Sequence, residues 1–320
     1  MKNIKTVLSA VLFCSLFCVL FSSCPLTENE HDDNTFTLAT WNVQNIFNDT
    51  DDGNEYDEFR LSSGWNNRAY KNRLSNLAIV FSYFNADTVV LNEIENSNVV
   101  EDIIFTLKDY PFYCTAKEPD GAISIAIISR YPIKNSCIHT VLGARPILQA
   151  DIDASGRAIK VFAVHGKSKR DGDDTSARLR FELGKTLDIV SQPESDELII
   201  AAGDFNEDVK ENNLFCDIRF GITQAPIKVS PQYNSQYWYN PFLDPSFSYM
   251  TDGTYCYHDV WSNIDNIICK NTGNWIVTGS EIVNKGILSS ADGKPNAFNR
   301  ALLTGVSDHY PVTLSFQFLP

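Results

Sequence analysis

Apolar runs and polar clusters alternate along the chain, and the apolar positions fall into two periods. Residues 36–43 are β-rich and end in Trp41-Asn42, which predicts a first strand. Tyr70, Leu74, Leu77, Phe81 and Phe84 recur at helical spacing and predict a helix over 67–84 with one core-facing stripe. Residues 87–93 read as a strand buried on both faces, because Thr88-Val89-Val90-Leu91 is an unbroken β-branched and apolar run. A short helix then precedes strands near 112–117 and 122–129. Runs at 147–152 and 158–165 flank Ser155-Gly156-Arg157, a hairpin signal. A helix over 176–191 leads to a strand at 197–202, and closing strands are predicted at 264–269, 275–283 and 311–318. Residues 211–258, rich in aromatics, Asn and Pro, read as loops with little regular structure.

The first residues break this pattern. Lys2 and Lys5 precede an apolar run over 7–21 that is too short and too early for a typical spanning helix, so it reads as a secretion signal. The run ends in Leu20-Phe21-Ser22-Ser23-Cys24, which resembles a bacterial lipobox whose cysteine is lipidated. Phe21 stands where that pattern prefers Leu, and ordinary signal cleavage near Cys24 is the alternative. The expected organisation is a signal peptide over 1–23, an acidic flexible tether over 24–35 and one catalytic domain over 36–320. An exported lipoprotein, anchored in the outer membrane or at the cell surface and monomeric, is the corresponding expectation; full secretion is the alternative.

Charge narrows the partners. The formal net charge is -14, and removing 1–23, with its two lysines and no acid, leaves -16. A protein that grips nucleic acid by its backbone needs Lys and Arg to displace counterions, so this balance argues against a nonspecific nucleic-acid binder. Lys167, Lys169 and Arg170 keep a nuclease reading open. With Cys14, Cys18 and Cys24 set aside, Cys114, Cys137, Cys216, Cys256 and Cys269 remain, an odd number without zinc-site spacing. Six acidic residues crowd 49–58, but an EF-hand register would put Asn48, Thr50 and Phe59 at ligand positions, so this stretch reads as a solvated loop.

Polar clusters stand where apolar strands end. The first strand runs into Asn42, the second into Glu93, 158–165 ends in His165, and 197–202 runs into Gly203-Asp204-Phe205-Asn206. Ser307-Asp308-His309 precedes the last strand, and Asp265 lies inside an apolar run, where a carboxylate is costly without a partner. Strands packed side by side bring such ends to one edge, where a cleft forms. Singly, each has a plain explanation: Asn42 as a turn cap, Gly-Asp-Phe-Asn as an Asx-type strand exit, His165 as a core histidine. Together, two histidines, four carboxylates and two amides form the inventory for phosphate-ester hydrolysis with a hard cation.

In the same order, TWNVQNIF, LNEIEN, AIISRYPI, VHGKSK, GDFN, NIDNII and SDHYPV resemble the motifs of the endonuclease/exonuclease/phosphatase superfamily, over roughly 36–318. The resemblance implies an α/β fold, a four-layer α/β sandwich of the DNase I-like kind, with two packed, mainly antiparallel β-sheets and helices outside. By motif, Glu93 would be the principal Mg²⁺ carboxylate, with Asn42 beside it and Asp308 closing the metal shell; Mn²⁺ and Ca²⁺ are alternative ions. His309 would be the general base or the group that stabilises phosphoryl charge, with Asp265 holding its imidazole. Asp204 and Asn206 would position the nucleophile or leaving oxygen, and His165 would donate to a phosphate oxygen. Lys167, Ser168 and Arg178 are candidate substrate-binding residues, with a solvated loop as the alternative for the first two and Arg180 as the alternative to Arg178. Ala122-Ile123-Ser124 offers no counterpart to the Tyr or Glu that many nucleases of the family place there. The activity implied is that of a metal-dependent phosphodiesterase, with endonuclease action within its range. The alternatives are a phosphomonoesterase or sphingomyelinase-like hydrolase of lipid, inositol or sugar phosphates and, in another class, a non-catalytic surface binding lipoprotein.

Overall fold

In the computed structural model, residues 34–118, 120–169, 174–193, 197–208, 213–232, 237–270 and 274–319 are described. The expected signal peptide, Cys24, most of the tether and Arg170 lie outside them. The strands are β1 (Thr35–Ile46), β2 (Thr88–Ile94), β3 (Phe112–Lys117), β4 (Ser124–Ser129), β5 (Ile133–Val141), β6 (Ala144–Ala154), β7 (Arg157–His165), β8 (Leu198–Asp204), β9 (Asn213–Leu214), β10 (Ile227–Ser230), β11 (Trp238–Tyr239), β12 (Tyr255–Tyr257), β13 (Val260–Ser262), β14 (Asp265–Lys270), β15 (Trp275–Ile282) and β16 (Val312–Phe318). The α-helices are α1 (Asn67–Phe81), α2 (Ser97–Leu107) and α3 (Asp174–Val190).

One sheet has the order β15-β16-β1-β2-β4-β3 and the other β5-β6-β7-β8-β14-β11-β10-β9, while β12 and β13 pair as a small hairpin. Most neighbours are antiparallel; β1 with β2, β7 with β8, and β10 with β11 run parallel. Period-two burial shows how the sheets stack. Along β8, Leu198, Ile200 and Ala202 join the apolar core shared by both sheets, whereas Ile199 and Ala201 join a second core with Leu183 and Leu187 of α3. Phe81 of α1 packs on Trp41 of β1, ring centroids 6.3 Å apart. The layers are therefore helices, sheet, sheet and helix, as the resemblance implied. Asn66 caps α1 by accepting from Arg68 N and Ala69 N, and Asn96 caps α2 by accepting from Val99 N.

Three expectations change. β5 went unread because it is an edge strand whose residues Lys134 to Ile138 are all exposed, so no hydrophobic alternation marks it. The stretch 211–258 is not merely loop: β9, β10 and β11 extend the second sheet from within it. The acidic stretch is not simply solvated. Phe59 stacks on Phe47 at 4.7 Å and meets Trp65 edge-on at 5.1 Å, and this packing leaves Glu55 only 5% exposed. Cys114, Cys137, Cys256 and Cys269 are free thiols.

Candidate active site

Irregular backbone at the strand exits gathers the polar ends. Gln44 and Asn45 leave β1 at φ 54° and 50°, and the register of β1 with β2 shifts between Asn42 and Ile46. Glu93 has φ 66°, at a break in the β2–β4 register between Asn92 and Ile94. Its Oε1 accepts from Asn42 Nδ2 (3.0 Å) and its Oε2 from Asn45 N (3.0 Å). Asn42 Nδ2 also donates to Asp204 Oδ2 (3.1 Å) on the opposite sheet. Gly203, at φ 145°, lets β8 pass against β7: a Cβ there would stand 1.9 Å from Val164 O. Gly166 is as tight, its Cβ position lying 2.2 Å from Phe205 O. Asn206, at φ 50°, folds back so that its N–H donates to Asp204 Oδ1 (2.9 Å) and its Nδ2 to Gly166 O (3.2 Å).

The two histidines come from opposite sheets. His165 ends β7, with Nε2 3.9 Å from Glu93 Oε1 and 3.8 Å from Asp204 Oδ2. His309 precedes β16, and its Nδ1 donates to Asp265 Oδ2 (2.8 Å). Trp41 Nε1 donates to His309 O (3.1 Å), and Ser307 bridges His309 N (3.0 Å) to Asn42 O (2.7 Å). The Tyr255 ring lies 4.7 Å from the imidazole. These contacts leave His309 little rotational freedom.

The environments push the ionisable groups apart. Burial opposes charge on His309, but Asp265, Asp308 and Asp204 overcome it and raise its pKa well above the ordinary histidine value. Burial lowers His165 well below that value, with the charges of Arg145 and His309 acting in the same direction. Burial and Asp265, which stands opposite Asp204 in the β8–β14 register, push Asp204 up to about 7. Burial and Asp308 raise Glu93, against Asn42, His309 and Arg145. Separated acid and base strengths within one cluster are the arrangement that proton-transfer chemistry requires.

Asn42, Glu93, His165, Asp204, Asn206, Asp265, Asp308 and His309 are thus brought together. Lys167 and Ser168 follow β7 beside this group, and Arg180 Nη1 donates to Lys167 O (3.1 Å). Arg178 is not brought in: it pairs with Asp174 (2.8 Å) on the exposed side of α3. Arg180 is the inward residue, buried and donating to Glu207 Oε1 at 2.5 Å.

Other residues escaped the sequence reading. Asn92 accepts from Asp204 N (2.9 Å) and donates to Val164 O (2.9 Å), joining the sheets behind the site. Arg73 is fully buried, with Nη1 donating to Val306 O and Nη2 to Val43 O and Gln44 O. Arg145 donates to Gly166 O (3.3 Å). Tyr56 lies where Arg145 and Glu93 both influence its hydroxyl. Asn92 does end an apolar run but was passed over for its neighbour Glu93; the other three end none, so strand-end reasoning could not find them. A cavity of about 350 Å³ lined by Lys134, Asp151, Lys160 and Glu197, among others, includes none of the site residues.

Within this site, two groups among the described residues could hold an ion. Ligand atoms of Asp204, Asp265 and His309 lie within 4.8 Å of one another, but His309 Nδ1 and Asp265 Oδ2 are already hydrogen-bonded and Asp204 is occupied by Asn42 and Asn206. Glu93 and Asp308 suit a hard divalent cation better. They are like charges that raise one another's cost, both retain solvent access (side chains 19% and 29% exposed), and Asp308 accepts no hydrogen bond among the described residues. Asn42 turns its Oδ1 to Gln44 N (3.0 Å), so its amide acts here as a donor that positions two carboxylates.

A profile described as "Endonuclease/Exonuclease/phosphatase family" matches residues 37–317. The chain belongs to this family. Its members are metal-dependent phosphoesterases, and the site is accordingly that of a hydrolase. Among solved structures, an endonuclease/exonuclease/phosphatase family protein of Bacteroides thetaiotaomicron is 15% identical, covers 89% of this chain and 98% of its own, and has a TM-score of 0.59. A mannosyl-6-phosphatase of the same organism is 16% identical over 88% of this chain and 100% of its own, TM-score 0.58. A humanised D. rerio TDP2 is 13% identical over 89% and 99%, TM-score 0.56. At these identities the likeness shows the family's fold. No curated protein matches the chain.

Proposed function

We propose that this family member is a Mg²⁺-dependent phosphodiesterase exported as a lipoprotein through Cys24. The observation that carries the catalytic part is the convergence of His309–Asp265, His165, Asp204 and the Glu93–Asp308 pair from strands of both sheets. Glu93 and Asp308 would hold the ion, which supplies charge neutralisation for the phosphate and a more acidic bound water. Asp204, with its proton affinity near neutrality, accepts the proton of the attacking water. His309, kept protonated by Asp265, donates from Nε2 to an oxygen gaining charge, which favours charge stabilisation over the general-base role. Neutral His165 donates to a second phosphate oxygen. Asn42 and Asn206 hold the two working carboxylates apart and in place.

Arg145 supports a second reading, phosphomonoester hydrolysis. The Arg145 guanidinium, which donates to the carbonyl of Gly166 next to His165 and acts electrostatically on Glu93 and His165, matches the extra charge of a terminal phosphate. The structurally similar mannosyl-6-phosphatase makes sugar phosphates a substrate class to include. Lys167 and Ser168 are then the loop residues nearest the rest of the substrate. The acidic charge argues against duplex nucleic acid as the main substrate.

Hydrolysis of duplex DNA, RNA, sphingomyelin, inositol phosphates and sugar phosphates, each with Mg²⁺ and with EDTA, tests these readings. Mg²⁺-dependent turnover of a diester supports the first, and turnover confined to monoesters moves the assignment to the second. No hydrolysis of any ester would leave a binding lipoprotein.

A further inference from the structure

A second acidic cluster uses none of the residues assigned above. Carboxylate oxygens of Asp52, Glu55 and Glu95 lie within 4.8 Å of one another. Glu95 follows β2 directly, and its Oε2 accepts from Asn48 N (2.7 Å), while its N–H donates to Ile46 O (3.0 Å). Glu55 accepts from Gly53 N through both oxygens (3.0 Å each) and from Asp52 N. Asp52 accepts from Asn96 Nδ2 (2.9 Å). These bonds explain how the carboxylates come together but not why they remain so. Glu95 is 2% exposed, and its Oε1, buried in the cluster, has no hydrogen-bond partner. Arg60, the nearest cation in sequence, is engaged with Glu55 O and with Asp57 (3.2 Å).

Three carboxylates sharing a site, one with a buried oxygen lacking a donor, are a costly arrangement that a bound cation relieves. The donors are all hard oxygens, and two of them sit on an irregular loop. That combination suits Ca²⁺, which accepts variable geometry, better than Mg²⁺, which demands a near-ideal octahedron. We propose that Asp52, Glu55 and Glu95 form a calcium site that clamps the loop after β1 to the end of β2.

Terbium luminescence tests the site, because the Trp65 indole donates to Asn48 O (2.7 Å), close enough to the loop to sensitise a bound ion. Glu93→Gln protein serves as the parent, so that ion binding in the cleft does not contribute. The parent is expected to bind one Tb³⁺ with sensitised emission, displaced by Ca²⁺ with a dissociation constant of about 10⁻⁵ to 10⁻³ M. Adding Glu95→Gln or Glu55→Gln weakens this binding at least about tenfold. Asp52→Asn does the same, and because Asp52 is exposed its substitution does not threaten the fold. Ca²⁺ also raises the Tm of the parent and not that of the variants. Absence of emission in the parent, or unchanged affinity in folded Asp52→Asn, overturns the proposal.

Discussion

At His309 two carboxylates face the two ring nitrogens. Asp265 grips Nδ1 at 2.8 Å, while Asp308 approaches Nε2 at 3.9 Å. The raised pKa makes the cationic ring the form present at neutral pH, so activity that depends on it is full below that pKa and falls as pH rises through it. Asp265→Asn removes the largest charge that opposes burial. The alkaline limb of the kcat profile is therefore expected to move to lower pH, with a drop in kcat of about 10²-fold or more at pH 8. An unmoved alkaline limb would show that another group titrates there. His165 differs from His309 only in surroundings: Arg145 stands beside it where Asp265 stands beside its counterpart.

At the level of elements, the strand ends were legible and the supports behind them were not. Asn42, Glu93, His165 and Asp204 announce themselves because each stands at or just past the end of a strand-forming run. Arg73 does not: it occupies a helical position that reads as surface, yet α1 carries it to 0% exposure, where it serves carbonyls on both sides of the site. Its ring contact with Phe298, 4.2 Å, is equally invisible, being set by residues more than 200 positions apart. Arg178 shows the converse, since helical phase relative to the sheet decided which of two arginines points inward. β5 was missed because an exposed edge strand imposes no period, and β9 to β11 because each is too short to display one. Arg73→Met is predicted to destabilise the fold by about 3–5 kcal/mol, since three carbonyls lose a buried charged donor. Urea unfolding measures this, and a loss under about 1 kcal/mol would show that the guanidinium is not a structural tie.

The whole molecule combines a net charge of -14 with a catalytic cleft whose local cations include Arg145 and the protonated His309. Two scales of charge are thus opposed, a long-range field that repels polyanions and a short-range pair that receives one phosphate. Among the described residues no helix is long and apolar enough to cross a membrane; the proposed attachment is a lipid at Cys24. Cys24→Ser is expected to move the protein from the membrane fraction to the soluble one, and unchanged fractionation would point to a different anchor.

Glu93 lies in β2 and His309 precedes β16, and the proposed reaction has both act on one phosphate with one divalent ion. Steady-state hydrolysis of the preferred ester by wild type, Glu93→Ala and His309→Ala, each after EDTA treatment and after Mg²⁺ restoration, examines it directly. Wild type should lose turnover in EDTA and regain it with Mg²⁺, while both folded variants stay at least about 10²-fold below the Mg²⁺-restored wild type. Near-wild-type turnover in either variant, or turnover indifferent to EDTA, would contradict the account.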